Sequence, residues 1–133
     1  MKKFAAGLAL TLCLAGLATP AFAGSPHFVG TPTATISGDT VTVSGKEAGL
    51  GNEDQINVVV TADAACINPG DQHPQAANKE SFNAAGDFPV QNGKADFRLT
   101  VVAAFQPACS PPMTVVWSNV VVTDTTNGIS VTL

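Results

Sequence analysis

Apolar and polar residues alternate, with the period of a half-buried β-strand, in several segments of the chain. The most regular segment, residues 94–101, places four apolar side chains on one face and charged or hydroxyl side chains on the other. No segment after residue 23 repeats with the period of a helix. The predicted strands cover residues 40–44, 54–61, 87–90, 94–101, 114–123 and 129–133.

Turn residues separate these strands. Gly38-Asp39 and Gln91-Asn92-Gly93 predict tight turns, and residues 45–52 form a glycine-punctuated connection. Pro89 cannot donate a hydrogen bond to a neighbouring strand, so residues 87–90 are expected at a sheet edge. About seven short strands of this kind predict an all-β domain, an antiparallel immunoglobulin-like β-sandwich. A small closed barrel is the alternative architecture.

The last two strands form a predicted hairpin around Asn127-Gly128. This dipeptide favours a two-residue type I′ turn, which pairs Asp124 with Val131. We prefer a three-residue loop, because it sets Thr123 opposite Val131 and Val121 opposite Leu133.

Two segments lack any periodicity. The first begins at Cys66 and contains the turn signals Asn68-Pro69-Gly70-Asp71 and His73-Pro74, with no apolar period before Phe82. The second surrounds Cys109 with prolines at 107, 111 and 112. Long loops in compact domains are commonly functional, so Asn68, Asp71 and His73, together with Trp117, are candidate binding residues.

The first twenty-three residues have the pattern of an export signal. Lys2 and Lys3 precede an uncharged apolar run, and Ala21-Phe22-Ala23 places small residues at a cleavage site. We predict a signal peptide over residues 1–23 and a single β-sandwich domain over residues 24–133. A membrane anchor needs a longer apolar run, and lipidation at Cys13 is disfavoured by Leu12 before it.

Removal of the signal changes the composition of the chain. The remaining 110 residues carry four basic and ten acidic side chains, a net charge of −6. Binding of nucleic acid relies on clustered Lys and Arg, so this class of partner is not expected. After cleavage no membrane association is expected either. Cys66 and Cys109 then remain, and outside the cytoplasm they are predicted to form a disulfide.

Catalytic groups are scarce in the sequence. The chain has two histidines and no tyrosine, and no G-x-S-x-G or comparable nucleophile signature is present. His73 near Asp71 is a candidate base, but a solvated loop histidine is the favoured interpretation. We therefore expect no enzymatic activity, with a hydrolase that depends on His73 as the least favoured alternative.

Among metals, calcium is the first candidate for an exported acidic chain, because it binds carboxylate and carbonyl oxygens. Asn52, Glu53 and Asp54, at a glycine-rich strand entrance, are the calcium candidates. The D-x-[DN]-x-[DN]-G pattern is absent, and Asn and Asp at strand ends commonly bond their own backbone. No metal and no cofactor are therefore expected.

Continuous valine runs break the alternation at Val59, Val102, Val116 and Val121. Valines that point away from the core would form an exposed apolar patch, which implies a partner or a ligand. The alternative is a β-bulge around Ser118-Asn119 that turns them inward.

Two resemblances bear on function. Gly49-Leu50-Gly51-Asn52, followed by Asp54, and Cys66-Ile67-Asn68-Pro69-Gly70 resemble a group of small secreted microbial proteins that share GLGN-x-D and C-x-N-P-G segments. This resemblance implies no catalytic or binding residue. Size, acidity and the threonine-rich residues 32–36 are also similar to those of neocarzinostatin-type apoproteins, which are secreted β-sandwiches that carry an enediyne but have two disulfides.

The function expected from the sequence is therefore a secreted, non-enzymatic binding or surface-interaction module, periplasmic or extracellular. Its partner is expected to be a protein, a surface glycan or a small apolar ligand. The second hypothesis is a small-molecule carrier of the neocarzinostatin-apoprotein type, with Phe97, Phe105 and Trp117 as the walls of its pocket.

Overall fold

Two antiparallel β-sheets form the structure, a computed structural model that describes residues 24–69 and 78–133. This confirms the predicted all-β sandwich. The predicted signal peptide, Asp71 and His73 lie outside the described residues. The eight strands are β1 His27–Phe28, β2 Thr33–Ser37, β3 Thr40–Ala48, β4 Gln55–Ile67, β5 Lys79–Pro89, β6 Ala95–Val102, β7 Thr114–Asp124 and β8 Ile129–Thr132.

Strand β3 is central in the first sheet, which we call sheet A. Strands β1 and β2 both pair with β3 along one side, and β6 pairs along the other side. The second sheet, sheet B, has the strand order β5-β4-β7-β8. Strand β5 is thus an edge strand, and the edge position expected from Pro89 is confirmed.

The core lies between the two sheets and is built mostly from valine and small residues. In β4 every second residue from Ile56 to Cys66 is buried, as the two-residue period requires. Phe97 of sheet A packs against Phe88 of sheet B, with 6.3 Å between ring centroids. Contacts of this kind bury the apolar faces of both sheets, which is the main free-energy gain of a sandwich.

Strand β2 is an uncovered edge. All five of its residues are exposed, although it pairs with β3 over its whole length. Ile36 lies opposite the fully buried Val41 and therefore on the same face of the sheet, yet it is 57% exposed. Sheet B accordingly does not cover the inner face of β2.

A β-bulge interrupts β7, at the place where the sequence suggested one. Thr61 pairs with Val121, but Asp63 pairs with Ser118, so β7 has one more residue than β4 in this interval. Asn119 takes up the bulge with a φ of 50°. The extra residue shifts the alternation, so that Trp117 before it and Val120 after it both face the core.

Several strands are longer than predicted. The predicted connection at residues 45–52 begins with four further residues of β3, and the predicted irregular segment at Cys66 begins only after Ile67. Strand β5 starts at Lys79, well before the predicted residue 87. Its first eight residues, Lys-Glu-Ser-Phe-Asn-Ala-Ala-Gly, are mostly types with weak strand preference and gave no signal, and pairing with β4 supplies the missing stability.

The predicted register of the last hairpin is wrong. Asp124 pairs with Ile129 and Val122 with Val131, which leaves a four-residue loop. The Asp124 side chain explains the longer loop, because its Oδ1 accepts a hydrogen bond from the Asn127 backbone N–H at 3.0 Å. The Gly128 N–H donates to the Asp124 carbonyl at 2.8 Å and closes the loop.

The loop between β3 and β4 contains two glycines with left-handed backbone conformations. Gly49 has a φ of 75° and Gly51 a φ of 60°. Between them Leu50 is buried, and its N–H donates to the Gly93 carbonyl at 3.0 Å. The glycines thus allow the chain to reverse sharply around a core side chain.

Within residues 24–69 and 78–133, no helix is long and apolar enough to cross a membrane.

Candidate functional site

The disulfide joins two parts of the fold that are distant in sequence. Cys66, near the end of β4, is bonded to Cys109, in the segment between β6 and β7, with 5.8 Å between the Cα atoms. The predicted pairing is therefore confirmed. It fixes the segment of residues 103–113 against the end of sheet B.

A groove of about 210 Å³ lies beside this bond. Its lining comes from both irregular segments of the sequence, and we call it the disulfide-end groove. The lining residues are Cys66, Asn78, Glu80, Phe105, Gln106, Pro107, Ala108 and Met113. Buried or half-buried Phe105, Met113 and Cys66 give it an apolar floor, while exposed Glu80 and Gln106 lie at its rim.

The predicted binding residues are not all brought together here. Asn68 is exposed immediately after β4, two residues from Cys66, but it does not line the groove. Trp117 is buried in the core, where its Nε1 donates to the Gly38 carbonyl at 3.1 Å. Its indole ring therefore contributes to packing rather than to an exposed surface.

The three aromatic residues expected to line a carrier pocket are packed against other rings. Phe105 and Trp117 both contact Phe82, with ring centroids 5.3 and 6.4 Å apart. Phe97 contacts Phe28 and Phe88 at 6.1 and 6.3 Å. Edge-to-face contacts at these distances are typical of a filled core.

The three calcium candidates differ in exposure and in their contacts. Asn52 and Asp54 are exposed, while Glu53 is half-buried and its Oε1 accepts a hydrogen bond from Asn127 Nδ2 at 3.2 Å. Among the residues that the structure describes, no group of three or more His, Cys, Asp or Glu is arranged to hold a metal ion.

Two buried acids near Glu53 were missed by the sequence analysis. Glu47 on β3 and Asp124 on β7 are both 0% exposed, although they belong to different sheets. Burial, together with the neighbouring Asp124 and Glu53, raises the pKa of Glu47 to about 8. The burial of Glu47 could have been predicted from the period of β3. Val41 and Val43 face inward, and further steps of two residues lead to residue 47.

A second, polar groove lies on the outer face of sheet B, with a volume of about 410 Å³. Asp63 is one of its lining residues, and its carboxylate accepts hydrogen bonds from the Ser81 hydroxyl and from Asn119 Nδ2, the latter at 2.9 Å. The Ser81 and Asn119 hydrogen bonds lower the pKa of Asp63. The bulge thus has a local role, since Asn119 holds this carboxylate in place.

The outer-face valines do not form one patch. Val102 is 51% exposed on sheet A, whereas Val59, Val116 and Val121 belong to sheet B. Val116 is exposed beside Ala65, and Asp63 and Ser118 separate it from the half-buried Val121. The bulge therefore does not turn Val116 inward, and the polar groove divides the apolar surface.

Comparisons of the chain with the models of known protein families, with curated proteins and with solved structures found no match.

Proposed function

We propose that the protein is an exported, non-enzymatic binding module whose contact surface is the disulfide-end groove. The groove is the observation that carries the proposal, because it joins the two irregular segments that the sequence singled out. Loops fixed by a rigid sandwich are a usual place for recognition. The disulfide holds both sides of this surface in one geometry, which lowers the entropy cost of binding.

The size and lining of the groove favour a protein partner. A volume of about 210 Å³ is below the roughly 300–1,000 Å³ typical of pockets for drug-sized ligands. It suits one large apolar side chain against Phe105, Met113 and the disulfide. Glu80 at the rim, and the net charge of −6 without the signal, favour a basic residue beside that side chain.

A tryptophan at Ala108 tests the contact surface, because the larger side chain would occupy the groove. We expect the Ala108→Trp variant to retain at least tenfold less protein partner than the unchanged protein, in pull-downs from the medium of the producing cells. The matched control is Ala85→Trp, at an exposed alanine on the outer face of sheet B that lines neither described groove.

The control should retain the same partner as the unchanged protein. Equal retention by both tryptophan variants would place the contact surface elsewhere on the sandwich. Native mass spectrometry of protein purified from its own cells separates the carrier hypothesis: a retained small molecule, with no protein captured, would contradict the proposal.

Export is the part of the proposal that concerns residues 1–23. A disulfide persists in oxidising compartments, and the bond between Cys66 and Cys109 is compatible with one. We expect amino-terminal sequencing of the protein from the medium or periplasm to begin at Gly24. A sequence that begins at Met1 would contradict cleavage after Ala23.

A further inference from the structure

Glu47 and Asp124 bring two carboxyl groups together across the interface between the sheets. Glu47 lies on β3 of sheet A and Asp124 is the last residue of β7 in sheet B. Both side chains are fully buried, and the Glu47 carboxyl group lies within hydrogen-bonding reach of Asp124. We call these two residues the acid pair. If both carboxyl groups were ionised, the two neighbouring negative charges would repel each other strongly, because no water screens them.

The hydrogen bonds around the acid pair are unequally distributed. Asp124 Oδ1 accepts from the Asn127 backbone N–H at 3.0 Å, and Oδ2 accepts from Asn127 Nδ2 at 2.8 Å. Each oxygen of Asp124 thus already has a donor. Glu47 Oε1 and Oε2, in contrast, have no donor at all among the described residues. A proton on Glu47 would supply the missing hydrogen bond, donated from Glu47 to Asp124.

Among the described residues, no cationic side chain takes the place of the proton beside the acid pair. Glu53, in the loop between β3 and β4, adds a third acid. The residues opposite Glu47 in the neighbouring strands are Ala95 of β6 and Phe28 of β1, which are uncharged. Lys46 precedes Glu47 but is exposed, where it lies 4.0 Å from Asp96. Within the described part of the chain, no ion pair involves Glu47 or Asp124.

We propose that the acid pair binds one proton, and that this proton allows the two buried carboxyl groups to join sheet A to sheet B. Glu47 carries the proton and donates it in a hydrogen bond to the Asp124 carboxyl group. This site is independent of the disulfide-end groove and of any partner bound there.

Stability then depends on pH in a definite direction. The pKa of Glu47 is raised from its ordinary 4.5 to about 8 in the folded protein, since burial and the neighbouring acids disfavour its ionised form. Below pH 4.5 folded and unfolded chains are both protonated there, and the contribution of the proton is fully present. Between about 4.5 and 8 only the unfolded chain loses the proton, so stability falls as the pH rises.

Chemical denaturation of the whole protein across this pH interval tests the proposal. Titration of a single group raises the unfolding equilibrium constant by up to about tenfold for each pH unit. We expect Glu47→Gln, which keeps the shape of the protonated side chain, to remove most of this rise and to be the more stable protein at pH 9. The matched control, Asp39→Asn at an exposed turn, should keep the wild-type profile.

Two results would overturn the proposal. The first is a wild-type profile with the same slope as that of Glu47→Gln. The second is stabilisation of the wild type by calcium chloride at pH 8 that Glu47→Gln abolishes, because a cation would then occupy the pair. Should Glu47→Gln not fold, the carboxyl carbons of ¹³C-labelled wild-type protein provide the test: one glutamate must titrate near pH 8, and ordinary titration of every glutamate would exclude the proton.

Discussion

Replacing Cys66 and Cys109 together by alanine is expected to lower the free energy of unfolding by about 4 kcal/mol. The bond spans 43 positions of the sequence, and its loss frees this part of the unfolded chain, whose greater entropy favours unfolding. The expected loss is a large part of the roughly 5–15 kcal/mol that stabilises a typical domain. Urea denaturation of the double variant and of the oxidised protein, both at pH 6, measures the difference.

The reduced wild-type protein is the control for the disulfide variant. Reduction removes the same cross-link without changing the number of residues, so both proteins should unfold at similar urea concentrations. A double variant as stable as the oxidised protein would show that the unfolded chain gains little freedom when the bond is absent. In that case the contribution of the disulfide would be confined to holding the sides of the groove.

Replacing Gly49 by alanine is expected to destabilise the protein by roughly 3 kcal/mol, the second largest effect. The φ of 75° is unfavourable for any residue with a Cβ atom. A Cβ at this position would also lie 2.7 Å from the carbonyl carbon of Ser25, which is backbone and cannot rotate away. Thermal and urea denaturation of the variant provide the measurement.

Gly30 separates the two causes of this effect. Its φ of 70° is close to that of Gly49, but nothing lies within 4 Å of a Cβ built there. Gly30→Ala should therefore cost only about 1 kcal/mol, the conformational part of the penalty. Equal destabilisation by both alanine variants would mean that the Ser25 backbone moves aside, and that the close approach at Gly49 has no energetic weight.

Period-two alternation predicted most strands in which one face is apolar and the other polar, but Thr33–Ser37 of β2, which alternates in the same way, was not predicted. Residues 94–101 and 114–123 fall almost entirely within β6 and β7. The edge position of β5 followed from a single residue, Pro89, because the missing N–H is a local property that the fold must accommodate. The pairing of Cys66 with Cys109 could be predicted because these are the two cysteines that remain when Cys13 is removed with the predicted signal peptide.

Strands held mainly by their neighbours escaped the same reasoning. Strand β5 reads Lys-Glu-Ser-Phe-Asn-Ala-Ala-Gly over its first eight residues, with little strand preference, and it is ordered by pairing with β4. The last hairpin was assigned the wrong register because a three-residue loop was preferred, whereas Asp124 pairs with Ile129. The burial of Asp124 against Glu47 is a tertiary contact, and no local pattern contains the partner.

The candidate site was predicted only in part. The disulfide between Cys66 and Cys109 was predicted, and residues on both sides of it line the groove. Phe105 and Met113 were not predicted as its floor, because which side of a proline-rich segment faces inward depends on the sheet beneath it. Trp117 was singled out as the only tryptophan of the chain, but the bulge in β7 keeps it among core residues.

The uncovered edge strand β2 has a consequence for how the protein behaves when it is concentrated. Its free edge carries no charged residue and no proline, and Ile36 projects an uncovered apolar side chain from it. Strands of this kind can pair with the same strand of another molecule, so β2 is the natural starting point for edge-to-edge self-association. The edge strand β5, by contrast, has Lys79, Glu80, Asp87 and Pro89, which oppose such pairing. Of these two edges, β2 is therefore the one that is open to pairing with another molecule.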